Sequence, residues 1–186
     1  IIKLGGQVRF ETKLTDIEVS DNEIKAIIVN DNERIETDNL VLALGHSARD
    51  TFYMLDEKNI HMEPKAFAVG VRMEHPQELI DMSMYGIPHQ ASIENILGAA
   101  DYKLTGQASN ERGVYSFCMC PGGYVVNASS EDKRLVVNGM SYSDRGSRNA
   151  NSAIIVTVSP EDFDDNSPLS GIEFQRKLEE AAYVEG

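Results

Sequence analysis

The chain has 186 residues, of which 30 are acidic and 17 basic, so its formal net charge is −13. Hydrophobic residues make up 41% of the chain, which excludes a disordered acidic tail. The excess of carboxylates argues against nucleic acid as a partner, and no apolar run approaches the roughly 18 residues of a membrane span. The length allows one domain and part of another.

The cysteines, histidines and glycines exclude several kinds of site. Cys118 and Cys120 are too few for a structural zinc site, and the four histidines show no metal-ligand spacing, so we predict no metal. Two cysteines also favour a reducing, cytoplasmic location. No two glycines are separated by a single residue, so the GxGxxG dinucleotide fingerprint is absent. We therefore expect no cofactor to bind this chain alone.

The first 45 residues predict an antiparallel meander, with apolar runs at 8–10, 13–19, 24–29 and 34–37 separated by Asn- and Asp-rich turns. The run Leu40–Leu44 is apolar on both faces, which predicts a buried central strand ending at Gly45. Ser47 and Asp50 then form a capping-box pattern that opens a helix over 50–57.

The rest of the chain predicts a fold that is mostly antiparallel. Pro121-Gly122-Gly123 is expected to turn one strand back on its neighbour, and residues 83–100 are expected to be irregular. We predict an α+β fold with regions 1–58, 59–158 and 159–186. Strands are expected at 66–73, 102–107, 114–120, 124–127, 135–138 and 153–158, and helices at 77–82 and from Pro168 onward.

Several segments resemble known flavoproteins. The meander, the strand 40–44 and Gly45 resemble the closing part of the FAD-binding domain in glutathione-reductase-like flavoproteins. Residues 67–72, 113–123 and 145–152 resemble bacterial FAD-dependent, or NAD-utilising, dehydrogenases. The start at Ile1-Ile2-Lys3, with neither Met nor a signal-peptide pattern, predicts a piece of a longer protein. The resemblance implies a middle part, in which 1–58 close an FAD-binding domain and 59–158 form an inserted substrate-type domain.

The resemblance implies that the longer parent transfers hydride through FAD, with NAD(P)H as a possible co-substrate, and that this chain alone is inactive. The remainder of the parent and a small-molecule substrate would then be its partners. Gly45 and His46 would lie near the FAD diphosphate, and a thiol or the glycine turn near the flavin ring. The implied cofactor-binding residues are Val8, Gly45, His46, Pro121, Gly122 and Gly123, with Cys118 and Cys120 as catalytic candidates.

A polar island stands out in this acidic chain. It consists of Arg145, Arg148, Asn149 and Asn151, and is either a clamp for an anionic substrate or phosphate, or a loop rich in turns. The resemblance favours the clamp. Arg72 lies within an apolar run, where it either faces a ligand or pairs with a carboxylate, and pairing is the favoured expectation.

Alternatives remain open for the cysteines and for the function. Two residues apart on a strand, Cys118 and Cys120 would share one face, and they are more simply interpreted as small buried hydrophobes than as a redox pair. The chain as a whole is alternatively a non-enzymatic ligand-binding or interaction module, or, less favoured, a thiol-redox protein.

Overall fold

The computed structural model describes residues 1–86 and 96–185, which form two compact units, Ile1–Glu63 and Pro64–Gly186. Helices and mostly antiparallel sheets make up both units, so the predicted α+β class is confirmed. His89, which the sequence assigns to no site, lies outside the described residues, as does half of the stretch predicted to be irregular.

The first unit contains the predicted meander. Strands β1 (Leu14–Ser20), β2 (Glu23–Val29) and β3 (Glu33–Glu36) pair antiparallel in that order. Two tight turns join them: a two-residue loop at 21–22 and a three-residue loop at 30–32. In each, an Asn and an Asp adopt positive φ, which tight hairpin turns favour. Ile17, Ala26 and Val29 are buried on one face of this sheet.

Two expectations for the first unit are wrong. Leu40–Leu44 is not a strand, and Val41 is 89% exposed, because no neighbouring strand among the described residues pairs with this segment. Residues 8–10 form no strand either. Helix α1 (Arg49–Glu57) forms nearly where predicted, but Ala48 precedes it without a side-chain cap. Instead of capping, the Asp50 carboxylate pairs with Lys13 and accepts a hydrogen bond from the Thr51 amide.

The second unit is built on a four-stranded antiparallel sheet in the order β4-β9-β6-β5. A separate two-stranded sheet pairs β7 with β8, and α2 follows β4 directly, ending at Gly86 with φ +72°. The elements are β4 (Phe67–Pro76), α2 (Gln77–Tyr85), β5 (Thr105–Gln107), β6 (Gly113–Cys120), β7 (Gly123–Asn127), β8 (Val137–Ser141), β9 (Asn149–Val158) and α3 (Ser170–Glu185).

Apolar clusters close both ends of this sheet. Phe67 of β4 stacks on Phe163 with ring centroids 5.5 Å apart, and Phe174 of α3 packs edge-on against Phe67 at 6.1 Å. At the other end, Ile80 of α2 packs with the buried Ala100 and Ala150.

The predicted return of one strand on its neighbour at the glycine turn is wrong. Strand β6 pairs with β5 and β9, whereas β7 pairs with β8, so Pro121 and Gly122 carry the chain from one sheet to the other. Strand β9 also begins at Asn149, four residues before the predicted start, because Asn149 to Ser152 pair with the end of β4 and with Cys120. Part of the predicted polar loop is therefore sheet.

Candidate functional site

A β-bulge distorts the end of β6, where two of the predicted site residues lie. Phe117 pairs with Ala153, but Cys120 pairs with Asn151, so β6 has one more residue than β9 in this interval. Cys118 has a φ of +47°, the left-handed conformation that bulges place in a strand. The bulge turns a backbone carbonyl, that of Cys118, toward β4.

Arg72 of β4 connects this bulge to β9. Its Nη1 donates to the Cys118 carbonyl oxygen at 3.1 Å and to Asn151 Oδ1 at 2.6 Å, and it lies 4.0 Å from Cys120 Sγ. Asn151 is fully buried, and its Nδ2 has no hydrogen-bond partner among the described residues. The expected carboxylate partner of Arg72 is not found among the described residues, and a carbonyl and an amide oxygen take its place.

Gly139 of β8 covers this cluster closely. A Cβ at this position would lie 2.2 Å from Arg72 Nη1, 2.2 Å from Asn151 Oδ1 and 2.8 Å from Cys120 Sγ. A residue with a side chain cannot occupy the position without displacing the cluster. We call the set Arg72, Cys118, Cys120, Gly139 and Asn151 the arginine clasp.

The two cysteines differ in environment, so the expectation that they share one face is wrong. Cys118 is exposed, whereas Cys120 is buried and its thiol donates to the Cys118 carbonyl at 3.4 Å. The bulge is the reason, since an extra residue breaks the two-residue alternation of a strand. Burial raises the pKa of the Cys120 thiol above its ordinary value. The positive charge of Arg72 favours the thiolate and opposes this shift, but its effect is smaller. Cys120 is thus a protonated thiol near neutral pH.

The turn Pro121-Gly122-Gly123 is buried, and its glycines serve internal packing. Gly122 has a φ of +52°, and a Cβ there would lie 1.7 Å from the Arg145 carbonyl oxygen. The turn therefore lies directly against the loop that carries the predicted anion-binding arginines. The structure brings these two predicted segments together, although they are more than twenty residues apart in sequence.

A buried polar network that begins on α2 also holds the turn. Gln77 Oε1 accepts a hydrogen bond from the Gly122 amide at 2.8 Å, and Gln77 Nε2 donates to Asp81 Oδ1 at 2.7 Å. Asp81 Oδ1 also accepts from the Ala100 amide, and the Ala100 carbonyl accepts from Gln77 Nε2. Each of these groups is satisfied within the network, which orients the turn rigidly.

The four residues of the predicted anion clamp have different environments. Arg145 and Arg148 are exposed on the loop before β9, and neither guanidinium makes a hydrogen bond or ion pair with any described residue. Asn149 Nδ2 donates to Glu74 Oε1 at 2.6 Å, and the Val125 amide donates to Glu74 Oε2 at 2.9 Å. These two hydrogen bonds lower the pKa of Glu74. Asn151 belongs to the arginine clasp instead of the loop.

The predicted FAD-binding residues of the first unit lie outside its secondary structure. Val8 and His46 are exposed. Gly45 has a φ of +67°, and a Cβ built on it would meet no atom within 4 Å. The backbone at Gly45 is therefore open to close approach, three residues before the N-cap of α1.

Sequence reasoning did not single out Gln77, Asp81 or Gly139. Gln77 and Asp81 are spaced as neighbours on one helical face, which is too common a pattern to indicate a site. Gly139 follows the predicted strand 135–138, whereas the structure includes it in β8, where a glycine permits the close approach of another group.

The described residues hold no group of three or more His, Cys, Asp or Glu side chains placed to bind a metal ion. His75 accepts or donates a hydrogen bond at Nε2 with the Tyr102 hydroxyl, 2.9 Å away. Within the ranges 1–86 and 96–185, no helix has the length and apolar character needed to cross a bilayer.

Comparison with known proteins assigns the second unit to a family. A family model described as "FAD-dependent protein, C-terminal domain-like" matches residues 66–186. The chain belongs to this family. It is also 55% identical over 187 residues to an "Uncharacterized protein" of Clostridium beijerinckii, a match that covers 100% of this chain and 34% of the relative. The chain thus spans about a third of that relative's length.

Proposed function

We propose that this chain is part of an FAD-dependent oxidoreductase that passes hydride between FAD and a small-molecule substrate or a nicotinamide. The observation that carries the proposal is the match of residues 66–186 to an FAD-dependent family. The much longer relative supports a longer parent protein. Bound FAD supplies the hydride chemistry, and the protein supplies orientation and electrostatics.

The backbone at Gly45 fits the approach of a diphosphate. Its positive φ and the open space beside its α-carbon allow an anionic group to reach the main chain without steric conflict. His46 is exposed beside it. Pro121, Gly122 and Gly123 fit less well, because protein atoms fill the space beside both glycines. Their role in the proposal is to position the adjoining arginine loop.

Arg145 and Arg148 suit a negatively charged substrate group or phosphate. They are exposed and have no carboxylate partner among the described residues, in a chain whose carboxylates far outnumber its cations. A guanidinium offers paired N–H donors that match carboxylate and phosphate oxygens. Asn149, fixed by Glu74, anchors the end of this loop.

The environments of the cysteines disfavour the alternative of a thiol-redox protein. One thiol is exposed and the other is buried with a raised pKa, whereas a redox pair needs an accessible thiolate. We assign Cys120 to packing within the arginine clasp, and we propose a cytoplasmic location for the protein.

The visible absorption spectrum of the purified full-length parent tests the proposal. We expect the band of bound oxidised flavin, and its bleaching when NADH, NADPH or the substrate is added without oxygen. A colourless parent that binds no added FAD would favour the non-enzymatic module. The 186-residue chain alone should bind no FAD, because the fingerprint loop is missing; stoichiometric binding would contradict that argument.

A matched pair of glycine variants tests whether the FAD diphosphate binds beside Gly45. Gly45→Ala in the parent should lower its flavin content, since the new methyl group occupies the open space where the diphosphate would approach. Gly98→Ala is the control, because Gly98 has a similar φ of +71° and equally open surroundings. Equal flavin loss in both variants would mean that the loss comes from backbone strain and does not reflect a contact between FAD and Gly45.

A further inference from the structure

A cavity of the second unit lies beside the arginine clasp. It has a volume of about 650 Å³, within the roughly 300–1,000 Å³ typical of small-molecule sites. Its floor is formed by β4 and β9, and its walls by residues 135–137 and α3. The apolar side chains include Ala68, Val137, Ala153, Ile155 and Leu178.

The apolar lining is open to solvent in this chain. Val137 is 39% exposed and Leu178 is 45% exposed, although they come from different elements and line the same cavity. Exposed apolar surface gathered in a concave site is a common mark of a binding surface.

Arg72 provides the positive charge in this cavity. Its Nη1 is used within the clasp, whereas its Nε and Nη2 have no hydrogen-bond partner among the described residues. Those two N–H groups lie on one edge of the planar guanidinium, where they match the two oxygens of a carboxylate. Arg72 therefore has its orientation fixed by the protein and a donor pair left for a ligand.

Glu179, the other charged residue of the cavity lining, lies at the opposite end. The Glu179 carbonyl accepts a hydrogen bond from the Leu135 amide, while Gly139 covers Arg72 Nη1. Leu135 and Gly139 are four residues apart, and β8 covers residues 137–139 of this interval, so the separation is at most roughly 13 Å at about 3.3 Å per residue. An anion at Arg72 is thus separated from the Glu179 end by the length of the apolar lining.

We propose that this cavity binds a monocarboxylic acid with an extended apolar body, its carboxylate on Arg72 and its chain along Val137, Ile155 and Leu178. The ligand's carboxylate supplies the negatively charged partner that Arg72 does not have among the described residues. The apolar body covers the exposed side chains of the cavity. The proposal does not depend on flavin, because binding is expected in the chain without FAD.

Calorimetric titration of the 186-residue chain with octanoate tests this site. We expect saturable binding, at least about tenfold tighter than that of 1-octanol, which has the same apolar chain without the carboxylate. Arg72→Gln should weaken octanoate binding about tenfold or more and leave 1-octanol unaffected. Lys103→Gln, which removes an exposed charge outside the cavity, should leave both affinities unchanged.

A second variant keeps the arginine clasp intact. Ala182 lies on α3 at the cavity lining and is exposed, so Ala182→Phe should fill the cavity and abolish binding without disturbing Arg72. Equal affinities for octanoate and 1-octanol, no octanoate binding, or unchanged binding in Arg72→Gln or Ala182→Phe would each overturn the proposal.

Discussion

At the scale of single residues, the arginine clasp depends on the absence of one side chain. Arg72, Cys120 and Asn151 come from three strands, and their polar atoms meet at the α-carbon of Gly139. Arg72 is held by a carbonyl and an amide oxygen, which accept its hydrogen bonds without neutralising its charge. Any group added at position 139 competes with these contacts.

Gly139→Ala should lower the free energy of unfolding by about 1–3 kcal/mol, the usual cost of overpacking. Gly106→Ala is the matched control, since Gly106 also lies in a strand and its Cβ would meet no atom within 4 Å. Denaturant unfolding measures both variants. A neutral or stabilising effect of Gly139→Ala would contradict the close packing of the clasp.

The two thiols should differ in their reaction with iodoacetamide. Cys118 is exposed and is expected to be alkylated in the folded protein, whereas Cys120 should react only on unfolding, because it is buried and its pKa is raised. Mass spectrometry of the wild type, Cys118→Ser and Cys120→Ser measures each site separately. Alkylation of folded Cys118→Ser at the wild-type rate would contradict this assignment.

Part of the composition of this site was predictable from the sequence, whereas Gln77, Asp81, Gly139 and the geometry of the site were not. The segment 113–123 and the run 145–152 were both singled out, and they do meet at Gly122 and Arg145. The different environments of Cys118 and Cys120 follow from a bulge, whose position depends on the pairing of β6 with β9. Pairing between distant strands is a property of the whole sheet, which local alternation of side chains does not reveal.

At the scale of elements, ion pairing fixes the chain after β9. Arg112, before β6, donates through Nη1 to Asp162 Oδ2 at 2.7 Å and through Nη2 to Asp162 Oδ1. The Asp162 carboxylate also accepts from the Ser159 amide at 2.9 Å. The Arg112 guanidinium, with help from this amide, lowers the pKa of Asp162 from 3.8 to about 2.

A carboxylate whose pKa is lower in the folded protein than in the unfolded chain stabilises the fold at pH values above the unfolded-state pKa. This stabilisation is lost as the pH falls through the folded-state pKa. Wild type should therefore be more stable than Asp162→Asn above about pH 4, and this difference should shrink between pH 3.8 and about 2. Chemical denaturation across this range measures it. Asp132→Asn removes an exposed carboxylate without a partner among the described residues, and should show no such trend. A pH-independent difference for Asp162→Asn would rule out the ion pair as its cause.

Elements that depend on local pattern were predicted well, and elements that depend on distant partners were not. The meander formed because its turn residues favour tight hairpins, and α2 formed as a helix directly after Pro76. Leu40–Leu44 has the composition of a central strand, yet it pairs with no described strand, and Val41 is 89% exposed. A strand forms only when a neighbour accepts its backbone hydrogen bonds.

At the scale of the whole molecule, the chain divides into Ile1–Glu63 and Pro64–Gly186, each with its own buried residues. The family match begins at residue 66, two residues after this division. The regions 1–58, 59–158 and 159–186 remain a prediction, and in the structure residues 64–158 and 159–186 belong to one unit.

Residues 64–186 expressed alone should therefore fold cooperatively, because the sheet β4-β9-β6-β5, the arginine clasp and the Phe67–Phe163 stack lie within them. Alkylation of Cys120 and denaturant unfolding measure whether residues 64–186 fold. We expect Cys120 to be protected and the unfolding curve to be a single sigmoid. A broad transition with a fully reactive Cys120 would show that the first unit is needed for the second to fold.

The sequence by itself determined the α+β class, the meander, most strand positions and the likeness to FAD-dependent proteins, since each depends on local composition or on segments read along the chain. Tertiary structure alone decided that Cys118 and Cys120 lie in different environments, that Arg72 meets Asn151 beneath Gly139, and that the glycine turn packs on the arginine loop. These contacts join residues far apart in the chain, and sheet pairing brings them together.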